Sequence, residues 1–422
     1  MLGPSRACSG AWPPIFGRSG ARGGGHLRRY LEPFEREHAL SSRDRRLARD
    51  LISCRTAALG GHVERCTACG HEHPAYNSCR NRHCPKCQSL QSARWVARRL
   101  DRVLPVHYFH VVFTLPSELR DLCARNRVEI FDLLLKSAAE ALLALGRDPK
   151  WFDRPAQLGI TAVLHTWARD LHLHPHAHCI VTGGGLATDG SGWVVASKDF
   201  LFPVHVLGAL FRGKFLAGLE RLRARGALAN DGDDRAARRR RARLYDQSWV
   251  VYAKRPFGGA EQVYRYLGRY TRRVAISNKR LISVDDAAIV FATRAGKTAA
   301  LSPLEFIRRF LQHRLPAGFV KIRHSGLLAP VNVNGALARA QALLGRTPSA
   351  GPRPVVDAEG GDDDRDDGEG RDRVHVADLS WAELLRRLTG FDANLCPVCR
   401  QRTLVRVPLP DCRGPPPQSL PN

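Results

Sequence analysis

Acidic residues are scarce in this sequence, and long apolar runs are absent from it. Its 422 residues include 66 Lys and Arg but only 40 Asp and Glu, which leaves a formal net charge of +26. No apolar stretch approaches the roughly 20 residues that a membrane span requires, and the N-terminus lacks the apolar core of a signal peptide. We therefore expect a cytoplasmic chain without membrane segments.

The few acids are unevenly placed. Nine of them fall between Asp357 and Asp372, so the rest of the chain is more basic than the net charge alone implies. An excess of this size is typical of a polyanion binder, and nucleic acid is the expected partner. The alternative is a ribosome-associated protein, or one that is merely arginine-rich because its genome is GC-rich.

Regular alternation of strands with crossover helices is missing too. Strand-like runs rich in β-branched and aromatic residues occur at 106–115, 160–167 and 176–183, and the clearest helical periodicity lies at 127–146. Strands without βαβ alternation predict an α+β fold built on an antiparallel sheet. The charged stretch 231–243 is interpreted as a solvated loop.

Cysteine is concentrated rather than scarce. Half of the 12 cysteines lie between Cys54 and Cys87, and without a secretion signal we expect metal-binding thiolates rather than disulfides. The pairs Cys66-x2-Cys69 and Cys84-x2-Cys87 are fourteen residues apart, close to zinc-ribbon spacing. Four thiolates in two knuckles predict a closed, structural Zn²⁺ site.

Further candidate ligands leave that assignment open. Cys54, Cys79 and His83 lie near the two pairs, so a second zinc ion is an alternative. The CPVC motif at 396–399 is half of another knuckle. Because no second pair accompanies it, a metal-free turn is an equal alternative.

Four histidines occupy alternate positions in LHLHPHAHCIVTGGG, residues 171–185. Side chains two apart in a strand point to the same face, so His176 and His178 can direct two imidazoles at one divalent cation. Pro175 is expected to end the alternation, which would leave His172 and His174 in the preceding turn. The three glycines are expected to leave room for a DNA backbone.

A third metal ligand is expected from a neighbouring element. His165 is the first candidate, and His110 and Gln262 are the alternatives. A site of two or three imidazoles with open positions suits Mg²⁺ or Mn²⁺ shared with a phosphate oxygen.

A predicted helix at 260–275 carries interleaved tyrosines and arginines. Tyr266 and Tyr270 are four residues apart and therefore share one face. An aromatic stripe of this kind usually packs in a core, but arginines are costly to bury and suit phosphates. The arginines in question are Arg265, Arg269, Arg272 and Arg273. Together with a bound metal, a tyrosyl oxygen could attack a phosphodiester in line and form a phosphotyrosine linkage without ATP.

Long motifs in a fixed order carry a family resemblance over roughly residues 30 to 345. They include YNSCRNRHCPKCQ, HVVFTLPSELR, LHTWARDLHLHPHAHCIVTGGG, YLGRYTRRVAISNKRL and EFIRRFLQHRLPAGFVKIRH. The chain resembles transposases of the insertion sequence ninety-one family, which are zinc-ribbon, two-tyrosine HUH rolling-circle enzymes. The resemblance implies that His176 and His178 are the HUH histidines and that Tyr266 and Tyr270 are the nucleophiles.

The resemblance also implies an HUH endonuclease fold, single-stranded DNA at transposon ends and target as substrate, and a 5′-phosphotyrosine intermediate. The implied location is the bacterial cytoplasm, in association with the nucleoid. Two other functions remain open: a decayed, non-catalytic, zinc-dependent DNA-binding protein, and a plasmid-type relaxase or replication initiator. No small-molecule substrate is expected.

Composition and resemblance together predict six segments. These are a disordered basic arm (1–29), a zinc-binding DNA-recognition module (30–100), an HUH catalytic domain (101–295), a basic helical extension (296–350), an acidic disordered linker (351–375) and a C-terminal tail with the CPVC half-knuckle (376–422).

Overall fold

The computed structural model describes residues 22–84, 87, 94–96, 102–254, 275–277, 280–294, 296–345, 379–389 and 391–409. The helices are α1 (Arg22–Glu37), α2 (Ser42–Ser53), α3 (Arg120–Arg125), α4 (Arg127–Arg147), α5 (Val204–Ala224), α6 (Asp234–Asp246), α7 (Pro303–Leu311), α8 (Ala338–Leu343) and α9 (Trp381–Thr389). The strands are β1 (Gly61–Cys66), β2 (Glu72–Tyr76), β3 (Tyr108–Thr114), β4 (Ala156–Trp167), β5 (Leu173–Ala187), β6 (Trp193–Val195), β7 (Val251–Lys254), β8 (Leu281–Val284), β9 (Ile289–Ala292), β10 (Thr298–Leu301), β11 (Ile322–Gly326) and β12 (Leu404–Pro408). None of the described helices is both long enough and apolar enough to cross a membrane.

The largest sheet has six strands in the order β11-β4-β5-β3-β7, with β6 paired to β5. Each of these pairings is antiparallel. Among the residues that the structure describes, the strand pairings are antiparallel rather than parallel with crossover helices, so the predicted α+β class with an antiparallel sheet is confirmed. The long central strands β4 and β5 form the frame on which the candidate site lies.

One face of this sheet is packed against α4 and α5. Alternate residues of β5, namely Ala177, Cys179 and Val181, are buried there together with Phe131 of α4 and Phe211 of α5. Fully burying a side chain of the size of Val181, Phe131 or Phe211 contributes roughly 1.5–3 kcal/mol. Because neighbouring strand residues alternate between faces, His176 and His178 point to the opposite side of the sheet.

The three glycines in the second half of β5 leave space for neighbouring protein segments rather than for DNA. A Cβ on Gly183 would lie 2.3 Å from Nε2 of His107, and one on Gly184 would lie 2.3 Å from the carbonyl oxygen of Val194 on β6. Gly184 also has a φ of 134°, which L side chains rarely adopt. The expected role of these glycines in DNA approach is therefore wrong; they allow β6 and the segment before β3 to approach β5 closely.

Two predicted stretches of irregular chain are helical. α1 begins at Arg22, inside the arm predicted to be disordered over 1–29. The charged stretch 231–243 forms most of α6, where Asp233 caps the first turn by accepting a hydrogen bond from the amide of Ala236 at 2.7 Å. Ala237 and Leu244 are buried seven residues apart, so two apolar anchors suffice for a helix whose other residues are mainly charged.

The chain on both sides of the predicted 295/296 boundary contributes strands to the same two sheets. β11 pairs with β4 and forms an edge of the largest sheet, while β10 completes a second sheet in the order β10-β9-β8. α1 and α7 pack on that second sheet through a core that includes Phe34, Phe291 and Ile307. The strands after residue 296 are therefore paired with strands that precede it, in both sheets.

The C-terminal segment returns to the N-terminal module. β12 pairs with β1 from His62↔Pro408 to Cys66↔Leu404, giving a third sheet in the order β12-β1-β2. The tail predicted over 376–422 thus contributes one strand, β12, to the sheet of the N-terminal module.

Candidate metal centre and cysteine clusters

Three imidazoles converge on the face of the large sheet that α4 and α5 leave uncovered. His165 of β4 is the direct cross-strand partner of His176 on β5, and His178 follows two residues later. One ring nitrogen from each of the three lies within 4.8 Å of the others. The ring centroids of His165 and His178 are 4.3 Å apart, and those of His176 and His178 are 4.9 Å apart. This spacing could hold one metal ion.

Neighbouring groups fix the orientation of these rings. Nδ1 of His176 donates to the carbonyl oxygen of His174 at 2.7 Å, which leaves its Nε2 lone pair available as a ligand. Nδ1 of His178 lies 2.7 Å from Nε2 of His110, and the two rings stack at 5.0 Å. His165 stacks on Trp167 at 4.8 Å. Contacts to the ring nitrogen that does not bind the metal typically set the tautomer and the orientation of metal-ligating histidines.

Burial keeps the cluster uncharged at neutral pH. Desolvation lowers the pKa of His176 to about 4 and that of His178 to about 2, and it holds the pKa of His165 well below its ordinary value. Mutual repulsion among the rings adds to the effect in His165 and His178. Neutral imidazole is the form that coordinates a cation, so these residues fit a divalent metal.

Of the two remaining histidines of the motif, His172 lies where it was predicted and His174 does not. Pro175 does not end the strand: its carbonyl oxygen accepts from the amide of Leu115 at 3.1 Å, and β5 starts at Leu173. His174 therefore belongs to the strand, which corrects the expectation of a turn. His172 does lie in the turn, where Nδ1 is 2.8 Å from a carboxylate oxygen of Asp170.

The cysteines form two clusters, and neither matches the predicted single site. Cys66 and Cys69 do not share a cluster with Cys84 and Cys87. The first cluster contains Cys54, Cys79, Cys84 and Cys87, and the second contains Cys66, Cys69, Cys396 and Cys399. Within each, the four sulfur atoms lie within 4.8 Å of one another. The CPVC pair, which the sequence left open between a half-knuckle and a free turn, lies in the second cluster.

His83 lies near the first cluster but is engaged elsewhere. Its Nε2 accepts a hydrogen bond from the amide of Leu315 at 3.1 Å, and its Nδ1 is 3.1 Å from the side-chain oxygen of Asn81. Burial lowers the pKa of His83 to about 3. Because both ring nitrogens have protein partners, His83 is corrected from a candidate zinc ligand to a structural residue.

In each cluster, hydrogen bonds favour the thiolate form of at least one cysteine, while neighbouring thiols have a raised pKa. The hydroxyl of Thr403, 3.0 Å from Sγ of Cys66, lowers the pKa of that thiol to about 6. In the other cluster, contacts from Cys79 and Cys84 lower the pKa of Cys54 to about 6. Thiolates are the form that binds zinc.

The predicted helix of Tyr266 and Tyr270 lies outside the described residues. So do Gln262 and the predicted DNA-binding arginines, which are Arg265, Arg269, Arg272 and Arg273. β7 ends at Lys254, which is the cross-strand partner of His110. The chain therefore enters this region from the sheet that carries the imidazoles.

The described geometry, a mixed fold with an N-terminal cysteine-rich module, agrees with two family models. Residues 26–115 match a family described as "Transposase zinc-binding domain", and residues 159–335 match one described as "Putative transposase". The second match includes all three clustered histidines. The chain is accordingly a transposase with a zinc-binding domain.

Two similar proteins narrow the class. A protein named "Putative transposase y4qJ" from Sinorhizobium fredii (strain NBRC 101917 / NGR234) is 41% identical over 416 residues, which is 94% of this chain and 98% of that protein. The "Transposase for insertion sequence element IS801" of Pseudomonas savastanoi pv. phaseolicola is 30% identical over 292 residues, 66% of this chain and 68% of that protein. This chain belongs to the insertion sequence ninety-one (IS91) family of transposases.

A solved structure is matched only locally. The "Conjugative Relaxase TrwC in complex with OriT Dna", in its metal-free form, is 14% identical and has a TM-score of 0.21, with 39% of this chain and 71% of that chain covered. Similarity at this level supports no conclusion about this chain.

Proposed function

We propose that this transposase nicks and rejoins single-stranded DNA by tyrosine transesterification, as an HUH enzyme of rolling-circle type. The observation that carries the proposal is the convergence of His165, His176 and His178 on one face of the antiparallel sheet, opposite the face packed against α4 and α5. Strand-borne ligands with a buried opposite face are held more precisely than ligands on loops. The proposed substrate is single-stranded DNA at the transposon ends and target, in the nucleoid of a bacterial cytoplasm.

The three imidazoles would hold a divalent cation. Such an ion, when bound, polarises a phosphate oxygen and stabilises the charge that develops on it. An all-nitrogen donor set favours Mn²⁺ over Mg²⁺, because Mg²⁺ prefers oxygen ligands. The protein orients the ligand rings: the carbonyl oxygen of His174 accepts a hydrogen bond from His176, and His110 contacts His178.

Tyr266 or Tyr270 is the proposed nucleophile. The phenolic oxygen would form a bond to phosphorus as the bond from phosphorus to the 3′ oxygen breaks. The phenolic proton is lost and the 3′ oxygen gains a proton, which leaves a 5′-phosphotyrosine and a free 3′ hydroxyl. Attack by a 3′ hydroxyl on the phosphotyrosine reverses these changes, so rejoining needs no nucleotide cofactor. The neighbouring arginines would contact the phosphates.

A structural zinc ion is the second metal in the proposal. Cys54, Cys79, Cys84 and Cys87 would hold one Zn²⁺ with all four positions filled by sulfur, which suits a structural role. The site lies beside α2 and the core that joins it to α7. Its role would be to keep the N-terminal module folded against the rest of the protein.

The direct test is adduct formation. Full-length protein is incubated with Mn²⁺ and 3′-labelled single-stranded oligonucleotides that cover the DNA flanking its gene, and the mixture is run on a denaturing gel. A labelled adduct that resists denaturation and disappears with chelator is expected. The Tyr266→Phe/Tyr270→Phe double variant should form none, whereas Tyr245→Phe, a control at an exposed tyrosine of α6, should form it normally.

Two outcomes would contradict the proposal in different ways. An adduct that persists in the double variant would exclude these tyrosines as the nucleophiles. If wild-type protein binds the DNA but forms no adduct with any divalent metal, the chain is a non-catalytic DNA-binding protein.

A further inference from the structure

We propose that Cys66, Cys69, Cys396 and Cys399 form a split Zn²⁺ site that joins the C-terminal segment to the N-terminal module. The family model for the zinc-binding domain ends at residue 115, so the C-terminal pair lies outside it. Cys69 and Cys396 are separated by 327 positions in sequence, yet their sulfur atoms are 3.7 Å apart.

The sulfur spacing agrees with tetrahedral zinc rather than with disulfides. The Sγ atoms of Cys66 and Cys399 are 3.5 Å apart, and those of Cys69 and Cys396 are 3.7 Å apart. A tetrahedron with Zn–S bonds of about 2.3 Å has edges of about 3.8 Å. A disulfide would require about 2.05 Å.

The two CxxC turns also have the same backbone geometry. In each, the first cysteine donates its amide to a carbonyl five residues later, and its own carbonyl accepts from the residue four later. The distances are 2.8 Å for Cys66 N to His71 O, 2.9 Å for Cys396 N to Gln401 O, and 3.0 Å for both Gly70 N to Cys66 O and Arg400 N to Cys396 O. Two matched turns facing each other present four thiolates to one ion.

Strain at one turn indicates that this geometry is required. Gly70 has a φ of 72°, and its counterpart Arg400 has a φ of 60°. For a residue with a Cβ, the left-handed conformation is unfavourable. A bound ion that needs the CPVC turn in this shape would offset that cost.

The third sheet has little else to stabilise it. Among the described residues of β1, β2 and β12, only Cys66 is fully buried. Small sheets that lack an apolar core generally need a metal or a disulfide to remain folded. Because β12 supplies one edge of this sheet, the N-terminal module is complete only when the C-terminal segment has joined it.

The test measures zinc and cysteine reactivity in the full-length protein. Wild type should contain two zinc ions per chain, and the Cys396→Ser/Cys399→Ser variant should contain one. Native alkylation followed by mass spectrometry should then label Cys66 and Cys69 in the variant while Cys54 and the rest of the first cluster stay protected. Cys123→Ala, at a buried thiol outside both clusters, is the control and should retain two zinc ions.

Unchanged zinc content in the double variant, with Cys66 and Cys69 still protected, would overturn the split site. A second measurement covers a variant that fails to fold. In wild-type protein under increasing chelator, all four cysteines of the split site should become reactive at one chelator concentration. Labelling of Cys396 and Cys399 at full zinc content would reject the proposal. No DNA is involved, so the result is independent of nicking.

Discussion

Among single residues, His110 orients the ring of a proposed metal ligand, His178. It was an alternative third ligand from sequence; in the structure its Nε2 lies 2.7 Å from Nδ1 of His178, and the three clustered imidazoles are those of His165, His176 and His178. Burial lowers the pKa of His110 to about 4, so its ring is neutral at pH 7 and can accept a hydrogen bond from the His178 N–H. The position of His110 thus defines which nitrogen of His178 is free for a metal.

Replacing His110 with Ala is expected to weaken Mn²⁺ binding roughly 10- to 100-fold, because an orienting partner of a ligand is lost. Titration of Mn²⁺ followed by electron paramagnetic resonance of the free ion measures this without DNA. His110→Gln, whose amide oxygen can still accept a hydrogen bond, should recover part of the affinity. His205→Ala, at an exposed histidine of α5, should bind like wild type. Equal affinity in His110→Ala and wild type would contradict the orienting role.

At the scale of secondary-structure elements, the turn after α7 is tied to the β4–β5 connection by a buried imidazole. Nε2 of His313 donates to the carbonyl oxygen of Leu171 at 3.0 Å, and Nδ1 is 3.2 Å from the hydroxyl of Thr166. Burial lowers the pKa of His313 to about 3, against about 6.5 in an unfolded chain. Below pH 6.5 the unfolded chain therefore binds the proton more readily than the folded one.

Stability should accordingly fall as the pH drops from about 6.5 towards 3, because the unfolded state takes up more protons in that window. For His313 alone the loss between pH 7 and pH 5 is about 2 kcal/mol. His313→Gln keeps a donor for Leu171 but cannot titrate. Urea unfolding at the two pH values should show a loss smaller by about this amount in the variant. Parallel losses in both proteins would rule out His313 as a source of the acid sensitivity.

Periodicity in the sequence predicted the elements that surround the site. Runs of β-branched and aromatic residues identified β3, β4 and β5, and apolar helical spacing identified α4. α6 was missed because its buried residues, Ala237 and Leu244, are too few to produce a pattern among charged neighbours. The glycines after His178 were misread because close strand approach and ligand approach leave the same trace in a sequence.

At the scale of the whole molecule, the sequence could not predict how distant segments meet. The cysteine spacing identifies CxxC turns but not which turns face each other, and the pair at 66–69 joins one more than 300 positions away rather than its neighbour. The same holds for β11, which no local pattern assigns to the largest sheet. By contrast, His165 could be proposed as the third ligand because it lies on the strand expected beside the histidine motif.

In the proposed mechanism, one divalent cation binds between His165, His176 and His178. The most direct measurement is a Mn²⁺ titration of wild-type protein and of single alanine variants at these positions, with His174→Ala as the control on the same strand. We predict that wild type and His174→Ala bind one Mn²⁺ and that each of the three ligand variants loses this binding. Retention of Mn²⁺ by all three ligand variants would exclude a metal site between these imidazoles.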